Sequence, residues 1–281
     1  MIAISVVTVN LNNHLGLKNT IESVLVQTFS NYEILIIDGG SCDNSLQIIK
    51  QYEDRISYWV SEPDDGIYCA MNKGIDKSKG EYCIFLNSGD CFKDETTLET
   101  MSSYLNGKFD LICGASCHNK DGKLNIKLPL KEFRISSIYT QTLPHQACFI
   151  KRSLFYKIGL YNEKNKIVSD WEFFVNCAKC GVSYLPVDQM IAVMEPPGIS
   201  SKYSIEHSFH IKEREERKLE LFRNYIDDLE ELFSLRKKIG TSGSGAGKSF
   251  SRFNRLKRKL KTIPNRIFMS KIFRSNNYIF F

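Results

Sequence analysis

The start of the chain lacks the features of a secretory leader. Residues 2–7 are apolar and follow Met1 with no basic segment before them and no small-residue cleavage site after them. We therefore expect a reducing, cytoplasmic compartment in which the nine cysteines are free thiols. A zinc site is not favoured, because it needs two closely spaced cysteine pairs on loops and the pair Cys177 and Cys180 falls within a helical pattern.

The end of the chain lacks acidic residues, since residues 248–281 contain ten Lys and Arg side chains and no Asp or Glu. This tail also lacks the unbroken apolar run of about 20 residues that a membrane-spanning helix needs. Its apolar residues recur at steps of three and four, at Phe253, Leu256, Leu260, Ile263 and Ile267. Such a pattern is typical of a basic amphipathic helix that binds an anionic membrane surface. Nucleic-acid binding is disfavoured, because no recognised module or stacking platform is present.

Length and composition indicate one main domain with an appendage, since 281 residues with 42% hydrophobic and 25% charged side chains are ordinary for a globular protein. Buried strands are predicted at residues 2–9, 32–37, 57–60 and 82–86, with a helix after each of the first three. This alternation predicts an α/β fold with a doubly wound sheet.

Polar side chains follow the ends of these predicted strands. They are Thr8, Asn10, Asp38, Asp64, Asp65 and Asp90. Since ligands of open α/β sheets bind at the carboxyl ends of the strands, this edge is the predicted ligand site. Asp43 or Ser45 is placed to cap the helix that follows the second strand.

The order of elements is less regular after residue 90. Further elements are predicted as a helix at 96–104, strands at 109–113 and 123–127, a turn that leads into a strand at 144–150, and a helix at 169–179. Gly181 is expected at the carboxyl-terminal cap of the last of these helices.

Residues 205–239 are dense in charge and carry apolar residues at helical spacing, which predicts a helical extension. Its apolar stripe is expected to pack on the body of the chain or on a second copy in a homodimer. Residues 240–249 form a Gly/Ser-rich linker before the basic tail at 250–281, which leaves residues 1–204 as the main domain. A phosphate-binding P-loop in the linker is disfavoured, because Ser242 occupies the position of its first glycine and no strand precedes it.

Four short motifs occur in order along the main domain. They are VTVN at 7–10, DGGSCD at 38–43, EPDDGIY at 62–68 followed by AMNKGI at 70–75, and LNSGD at 86–90. Together they resemble the family 2 glycosyltransferases, and they are most similar to the branch that builds bacterial surface polysaccharides, such as colanic-acid-type enzymes. The likeness covers about residues 2–200. It implies the GT-A architecture, in which a Rossmann-like nucleotide-binding mixed sheet flanked by helices is joined to an acceptor-binding half.

The resemblance implies roles for several residues at the ligand edge. Thr8 and Asn10 would hold the nucleoside, Asp38 would accept a hydrogen bond from the base, and Asp65 would lie in a turn against the nucleotide. His145 would lie near the donor sugar or the acceptor. Simpler roles remain open for four of them, since Thr8, Asn10 and Asp65 could cap helices and His145 could be a hydrogen-bonded surface group.

The wider family carries an Asp-x-Asp pattern where this chain has Asn87 and Gly89. The resemblance therefore implies a metal site with one protein carboxylate, Asp90, which would bind Mg²⁺ or Mn²⁺ together with water and phosphate oxygens. Asn87 would hydrogen-bond the ribose. The alternative for Asp90 is a turn residue without a ligand.

The segment VSDWE at 168–172 resembles the acidic motif of the family on the acceptor side, and it makes Asp170 the candidate general base. Glu172 is the alternative, but two residues along a helix turn it away from Asp170 by about 200°. The segment at 198–200 resembles a loop that closes over the donor in relatives.

The expected function is that of an inverting glycosyltransferase that uses a nucleoside-diphosphate sugar, a UDP-sugar being expected. Its acceptor would be a saccharide linked to polyprenyl diphosphate at the inner face of the plasma membrane, in polysaccharide biosynthesis. Two alternatives are kept. A sugar nucleotidyltransferase would normally show a Gly-rich, Arg-containing loop after the first strand, which this sequence lacks. A catalytically silent nucleotide-sugar-binding or scaffold protein would have lost its Asp-x-Asp pair.

Overall fold

The computed structural model describes residues 2–120, 123–194, 204–223 and 226–241. The strands are β1 (Ile4–Asn10), β2 (Tyr32–Asp38), β3 (Tyr58–Ser61), β4 (Tyr82–Phe85), β5 (Asp90–Phe92), β6 (Leu111–Lys120), β7 (Lys123–Lys127), β8 (Cys148–Lys151) and β9 (Tyr184–Met194). The helices are α1 (His14–Leu25), α2 (Ser45–Gln51), α3 (Ile67–Lys77), α4 (Thr97–Ser102), α5 (Ile135–Thr140), α6 (Ser153–Ile158), α7 (Ser169–Lys179), α8 (Ser204–Leu221) and α9 (Ile226–Thr241).

The described strands form one mixed sheet in the order β3-β2-β1-β4-β8-β6-β9-β5, and β7 pairs with β6. β1 pairs in parallel with both β2 and β4, and β2 pairs in parallel with β3. β8 then runs antiparallel to β4, so the sheet changes direction where the parallel first half meets the second half. The α/β prediction is confirmed, and the sheet is mixed, as the resemblance to the GT-A architecture led us to expect.

The hydrophobic core covers both faces of the parallel strands. This explains why the sequences of these strands are apolar at consecutive positions. Every residue of β1 is buried. Leu17 and Ile21 of α1 pack on one face with Ile34 of β2. On the other side, α3 approaches β1 so closely that a Cβ on Gly74 would lie 2.4 Å from Cγ1 of Val7. Only glycine fits there, which gives the AMNKG motif a packing role.

Several elements differ from the sequence prediction, and the helices α5 and α6 were not predicted at all. Neither β5 nor β9 was expected, and β6 continues well beyond residue 113 to Lys120. The predicted single helix at 205–239 is two helices, α8 and α9. By contrast, α7 has the predicted bounds, and Gly181 follows it with φ +61°, as a helix-ending glycine requires.

The contacts divide the chain into two compact units, residues 1–217 and residues 218–281. In the second unit, Phe222 and Leu229 of the predicted apolar stripe are buried. The Gly/Ser-rich segment from residue 242 onward and the basic tail lie outside the described residues, as does the segment at 198–200. Within the described ranges, no helix is both long enough and apolar enough to cross a membrane.

Candidate active site

The carboxyl ends of β1 and β2 lie side by side, with Asn10 opposite Asp38. Both carboxylate oxygens of Asp38 accept hydrogen bonds. Oδ1 receives them from Nδ2 of Asn10 at 2.7 Å and from the Ser41 hydroxyl at 2.6 Å. Oδ2 receives them from the Ser41 N–H at 2.9 Å and from the Ser61 hydroxyl at 2.6 Å. Burial alone would raise the pKa of Asp38, but these hydrogen bonds outweigh it, and the pKa is lowered.

Asp38 therefore holds the turn after β2 against the ends of two strands. Its exposed fraction is 0%, and its hydrogen-bond partners are protein groups. This gives the aspartate a structural reason that the sequence did not reveal. The contact with a nucleotide base stays a prediction.

Three buried oxygens at this edge have no hydrogen-bond partner among the described residues: Oγ1 of Thr8, Oδ1 of Asn10 and Oδ1 of Asn87. They lie at the ends of the neighbouring strands β1 and β4. Thr8 and Asn10 do not cap the next helix, because Oδ1 of Asn13 does so by accepting the N–H of Gly16 at 3.2 Å. An unpaired buried acceptor costs about 1–3 kcal/mol. The edge is thus suited to a ligand that supplies hydrogen-bond donors.

Asp43 ties together the starts of α1 and α2. Its Oδ1 accepts the N–H of Ser45, the first residue of α2, at 2.9 Å, although the N-cap position itself is held by Asn44, whose side chain makes no capping bond. Its Oδ2 accepts the N–H of His14 at 2.9 Å and lies 3.0 Å from the Nδ1 of the same residue. Burial opposes ionisation, but the hydrogen bonds from Ser45 and His14 outweigh it and lower the pKa of Asp43 to about 2.

The contribution of Asp43 to stability is expected to depend on pH. Because its pKa in the folded protein lies below the usual 3.8, the contribution is present above 3.8 and is lost as the pH falls toward about 2. The variant Asp43→Asn should therefore have a lower free energy of unfolding than the wild type at pH 7, and the difference should shrink through that window. Urea denaturation of both proteins across this range measures it, and a difference that stays constant would contradict the expectation.

The turn before α3 presents Asp64 rather than Asp65 to the edge. Oδ1 of Asp64 accepts the N–H of Gly66 at 3.0 Å, and a Cβ on Gly39 would meet Oδ2 of Asp64 at 3.0 Å. Asp64 therefore lies against the turn that follows β2. Asp65 is exposed, and α3 has no side-chain cap, so the capping role considered for Asp65 is wrong. Its contact with a nucleotide stays a prediction.

The turn from β4 to β5 contains the residues of the LNSGD motif. Gly89 has φ +102°, a backbone conformation that side chains disfavour, which explains a glycine where the wider family has an aspartate. Asp90 is 8% exposed and begins β5. Its Oδ2 accepts the N–H of Asn87 at 3.1 Å.

This turn fits a cation site with one carboxylate. Asp90 and Asn87 offer a carboxylate and an amide oxygen, which are donor types that Mg²⁺ and Mn²⁺ prefer. Within the described ranges, no group of three or more His, Cys, Asp or Glu side chains could hold a metal ion. A bound ion would therefore need phosphate and water oxygens to complete its coordination.

Asp170 lies in the first turn of α7 and is half-buried. The hydroxyl of Tyr68 lies 3.1 Å from its Oδ1 and 2.6 Å from the carbonyl oxygen of Ile167, and it donates its one proton to these acceptors. Burial, followed by the charge of Asp170, raises the pKa of Tyr68 well above its usual value, so the hydroxyl keeps this proton. Tyr68 belongs to α3, which follows the turn after β3. The candidate base is therefore held by the half of the protein that carries the ligand edge.

His145 occupies a one-turn 3₁₀ helix before β8 and not the start of the strand as predicted. It is 5% exposed, so its role as a surface group is wrong. Its ring stacks on Phe85 with 5.1 Å between centroids, and its Nε2 lies 2.8 Å from the hydroxyl of Tyr161. Burial lowers the pKa of His145, although the charge of Asp170 opposes this. The described contacts place it behind the site, and its role toward the substrates stays a prediction.

Glu172 is committed to an ion pair and is not free to act as the base. Its Oε1 accepts from Nη2 of Arg217 at 2.5 Å, and its Oε2 accepts from Nε of Arg217 at 2.9 Å. Nδ2 of Asn165 donates to the same Oε2 at 2.5 Å. The expectation that Asp170 and Glu172 point apart is thus supported, and Asp170 is the carboxylate left for chemistry.

Sequence reasoning missed the groups that position Asp170. Besides Tyr68, Glu213 of α8 accepts the N–H groups of three successive residues before α7: Lys166 at 2.6 Å, Ile167 at 2.8 Å and Val168 at 3.1 Å. No local pattern signals such a contact, because Glu213 lies more than 40 positions away along the chain.

The amide of Asn72 fastens α3 to the segment between α6 and α7. Its Oδ1 accepts the N–H of Tyr161 at 3.0 Å, and its Nδ2 donates to the carbonyl of Tyr161 at 2.9 Å. The AMNKGI motif contains this asparagine, but the sequence did not reveal its partner. Tyr68 and Asn72 together make α3 the element that joins the two halves.

Comparisons with known proteins agree with this geometry. The family model described as Glycosyl transferase family 2 matches residues 5–172. An uncharacterized glycosyltransferase of Mycobacterium tuberculosis is 34% identical over 179 residues, which cover 62% of this chain and 68% of the relative. A PGL/p-HBAD biosynthesis glycosyltransferase of Mycobacterium bovis is 26% identical over 185 residues, with the same coverage of both chains.

Solved structures share the fold. The structure of S. aureus TarS 1–349 in complex with UDP-GlcNAc matches with a TM-score of 0.58 and 19% identity, covering 72% of this chain and 62% of that one. The mannosyltransferase PcManGT from Pyrobaculum calidifontis, in complex with GDP-Man and Mn²⁺, matches with a TM-score of 0.57 and 14% identity. The match covers 80% of this chain and 64% of that one. This chain therefore spans less than two thirds of either structure. With the motifs, the sheet and the family match taken together, the chain belongs to glycosyl transferase family 2, a family of glycosyltransferases.

Proposed function

We propose that the protein is an inverting glycosyltransferase that moves a sugar from a nucleoside-diphosphate sugar to a hydroxyl group of a saccharide acceptor. The observation that carries the proposal is the position of Asp170, whose carboxylate contacts Tyr68 of the donor-side helix and is not used in an ion pair with any described residue. A carboxylate in this place removes the proton of the acceptor hydroxyl as the oxygen attacks the anomeric carbon. The nucleoside diphosphate leaves from the opposite side.

The donor is proposed to bind at the edge formed by β1, β2 and β4. Three buried oxygens there, of Thr8, Asn10 and Asn87, have no hydrogen-bond partner among the described residues and can accept hydrogen bonds from a ligand. We favour a UDP-sugar, a choice supported by the UDP-GlcNAc complex of a structural neighbour. The GDP-Man complex of another neighbour makes a guanine nucleotide the competing choice.

A divalent cation, Mg²⁺ or Mn²⁺, is proposed at Asp90 with help from the Asn87 amide oxygen. When bound, the ion would offset the charge of the two phosphates. Dependence on it is expected to be weaker than in enzymes with two aspartates, because the protein supplies one carboxylate. The acceptor is proposed to be linked to polyprenyl diphosphate, and the basic tail to bind the inner membrane surface in bacterial polysaccharide biosynthesis. These two points rest on the family resemblance and on the charge of the tail.

Thermal unfolding with a panel of nucleotide sugars tests the donor assignment. A matching donor at 100 times its dissociation constant is expected to stabilise the protein by about 2.7 kcal/mol. Added Mn²⁺ should increase the shift, and EDTA should reduce it. Transfer or donor hydrolysis is then measured with the stabilising compound, which separates an enzyme from a silent binding protein. Turnover of nucleoside triphosphate with sugar phosphate, without sugar transfer, would instead identify a nucleotidyltransferase.

A further inference from the structure

Glu213 of α8 binds the backbone of the segment that leads into α7. Its Oε1 accepts the N–H of Lys166 at 2.6 Å, and its Oε2 accepts the N–H groups of Ile167 at 2.8 Å and Val168 at 3.1 Å. Hydrogen bonds to an ionised acceptor are stronger than those between neutral groups. The helix α7 has no side-chain cap at Val168, so the carboxylate of Glu213 is what fixes the backbone at the start of this helix.

Ile167 connects this contact with the candidate base. Its N–H donates to Glu213, and its carbonyl oxygen accepts from the Tyr68 hydroxyl at 2.6 Å. The same hydroxyl lies 3.1 Å from Oδ1 of Asp170. The contacts thus form a continuous chain from Glu213 through Ile167 and Tyr68 to Asp170. A shift of the Ile167 backbone would move the acceptor that fixes the Tyr68 hydroxyl, and it would thereby change the hydrogen bond at Asp170.

Other side chains hold α8 in this place independently of Glu213. Arg217 pairs with Glu172 of α7, and Nη2 of Arg214 donates to the carbonyl of Gln141 at 3.0 Å. Replacement of Glu213 alone should therefore leave α8 where it is. The loss of its carboxylate would act on the segment before α7 and not on the docking of the helix.

We propose that Glu213 is a positioning residue for sugar transfer, which acts through Ile167 and Tyr68 to hold the carboxylate of Asp170 in its productive orientation. The glycosyl transferase family 2 model ends at residue 172, so the candidate base lies inside the matched region and Glu213 lies beyond it. The inference rests on the proposed function, because it takes Asp170 as the base.

The variant Glu213→Gln is expected to lower kcat by about 10-fold to 10²-fold, because a displacement of about 1 Å at the reacting groups can cost that much. The amide has nearly the same size, but it replaces one accepting oxygen with a donor and cannot bind all three N–H groups. The KM values for donor and acceptor should stay close to those of the wild type, since the proposed role involves no contact with either substrate.

Glu216→Gln is the matched control, because Glu216 lies on the same helix and forms an exposed pair with Lys212. It should retain the kcat of the wild type. The thermal midpoint of each variant is measured, so that rates are compared per folded enzyme. If Glu213→Gln has a lower midpoint but the kcat of the wild type, Glu213 serves stability alone and the proposal is wrong.

A double variant tests the route through Tyr68. Tyr68→Phe should lower kcat, because Asp170 loses its hydrogen-bond donor. In that background Glu213→Gln should have little further effect, since the connection through Ile167 is already broken. Losses in kcat that simply multiply would show that Glu213 acts independently of Tyr68, which contradicts the proposed route.

A measurement without turnover separates this inference from the proposed function. The carboxylate ¹³C resonance of Asp170, assigned by its absence in Asp170→Asn, reports the hydrogen bond at Oδ1. It should shift in Glu213→Gln and in Tyr68→Phe and stay unchanged in Glu216→Gln. An unchanged resonance in Glu213→Gln would refute the chain of contacts. If no nucleotide sugar supports transfer, the proposed function fails, and the resonance still decides whether Glu213 controls the position of Asp170.

Discussion

The variant Asp170→Asn is expected to lower kcat for sugar transfer by about 10²–10⁴-fold, the usual contribution of a positioned general base. An asparagine has nearly the same size, and its Oδ1 can still accept the hydrogen bond from the Tyr68 hydroxyl, which lies 3.1 Å from Oδ1 of Asp170. It cannot take the proton of the acceptor hydroxyl. The fold, and the edge at Asp38 and Asn10 where the donor is proposed to bind, should be unaffected.

The measurement is initial-rate transfer under saturating donor, together with a direct donor-binding titration. Asp76→Asn is the matched control, because Asp76 lies on α3, the helix that carries Tyr68, but is exposed and forms its ion pair with Lys77. It should retain the rate of the wild type. Wild-type turnover in Asp170→Asn would remove Asp170 as the base, whereas loss of donor binding would show that the substitution acts through structure.

The variant Arg217→Met is expected to lower the free energy of unfolding by about 3–5 kcal/mol, the cost of breaking a buried ion pair from one side. The side chains of Arg217 and Glu172 are only 17% and 11% exposed. Without the guanidinium, Glu172 keeps its charge in a buried place with Asn165 as a remaining donor. Urea denaturation measures the loss as a shift of the midpoint.

The double variant Glu172→Leu with Arg217→Met separates the two causes of that loss. Because it removes both charges, it should recover most of the stability that the single variant loses. Lys212→Met is the control, since Lys212 forms an exposed pair with Glu216 and such pairs contribute about 0–1 kcal/mol. A loss below about 1 kcal/mol in Arg217→Met would show that water reaches Glu172 and that the pair is not a structural anchor.

The sequence alone predicts the helices and strands whose signals lie within the segment itself. The strands β1, β2 and β4 are apolar throughout because both of their faces are covered, and α7 carries its own start and stop signals. The strand β5 has only three residues, and the third residue of β9 is a proline. Neither segment therefore has a sequence pattern that predicts a strand. β9 forms by pairing with β6 and with β5, and β5 forms by pairing with β9. Neither segment contains a local signal for this pairing.

The candidate site was predictable to a similar extent. The motifs located the edge with Asn10, Asp38 and Asp90, since each follows a strong strand. They did not show that Asp38 would be saturated by protein donors. The contact between Tyr68 and Asp170 joins residues 102 positions apart, and it arises from the packing of α3 against the second half of the chain. Contacts of that kind depend on the folded backbone and leave no periodic trace in a sequence.

The position of α3 has a consequence for engineering. The helix begins at the turn that lies against the donor edge, its Tyr68 holds Asp170, and its Asn72 holds the backbone of Tyr161. A substitution near Gly66 that shifts the helix to accommodate a different sugar would therefore displace the base as well. We expect donor preference and turnover to change together in directed evolution, so that selections for a new donor favour compensating changes on the acceptor side.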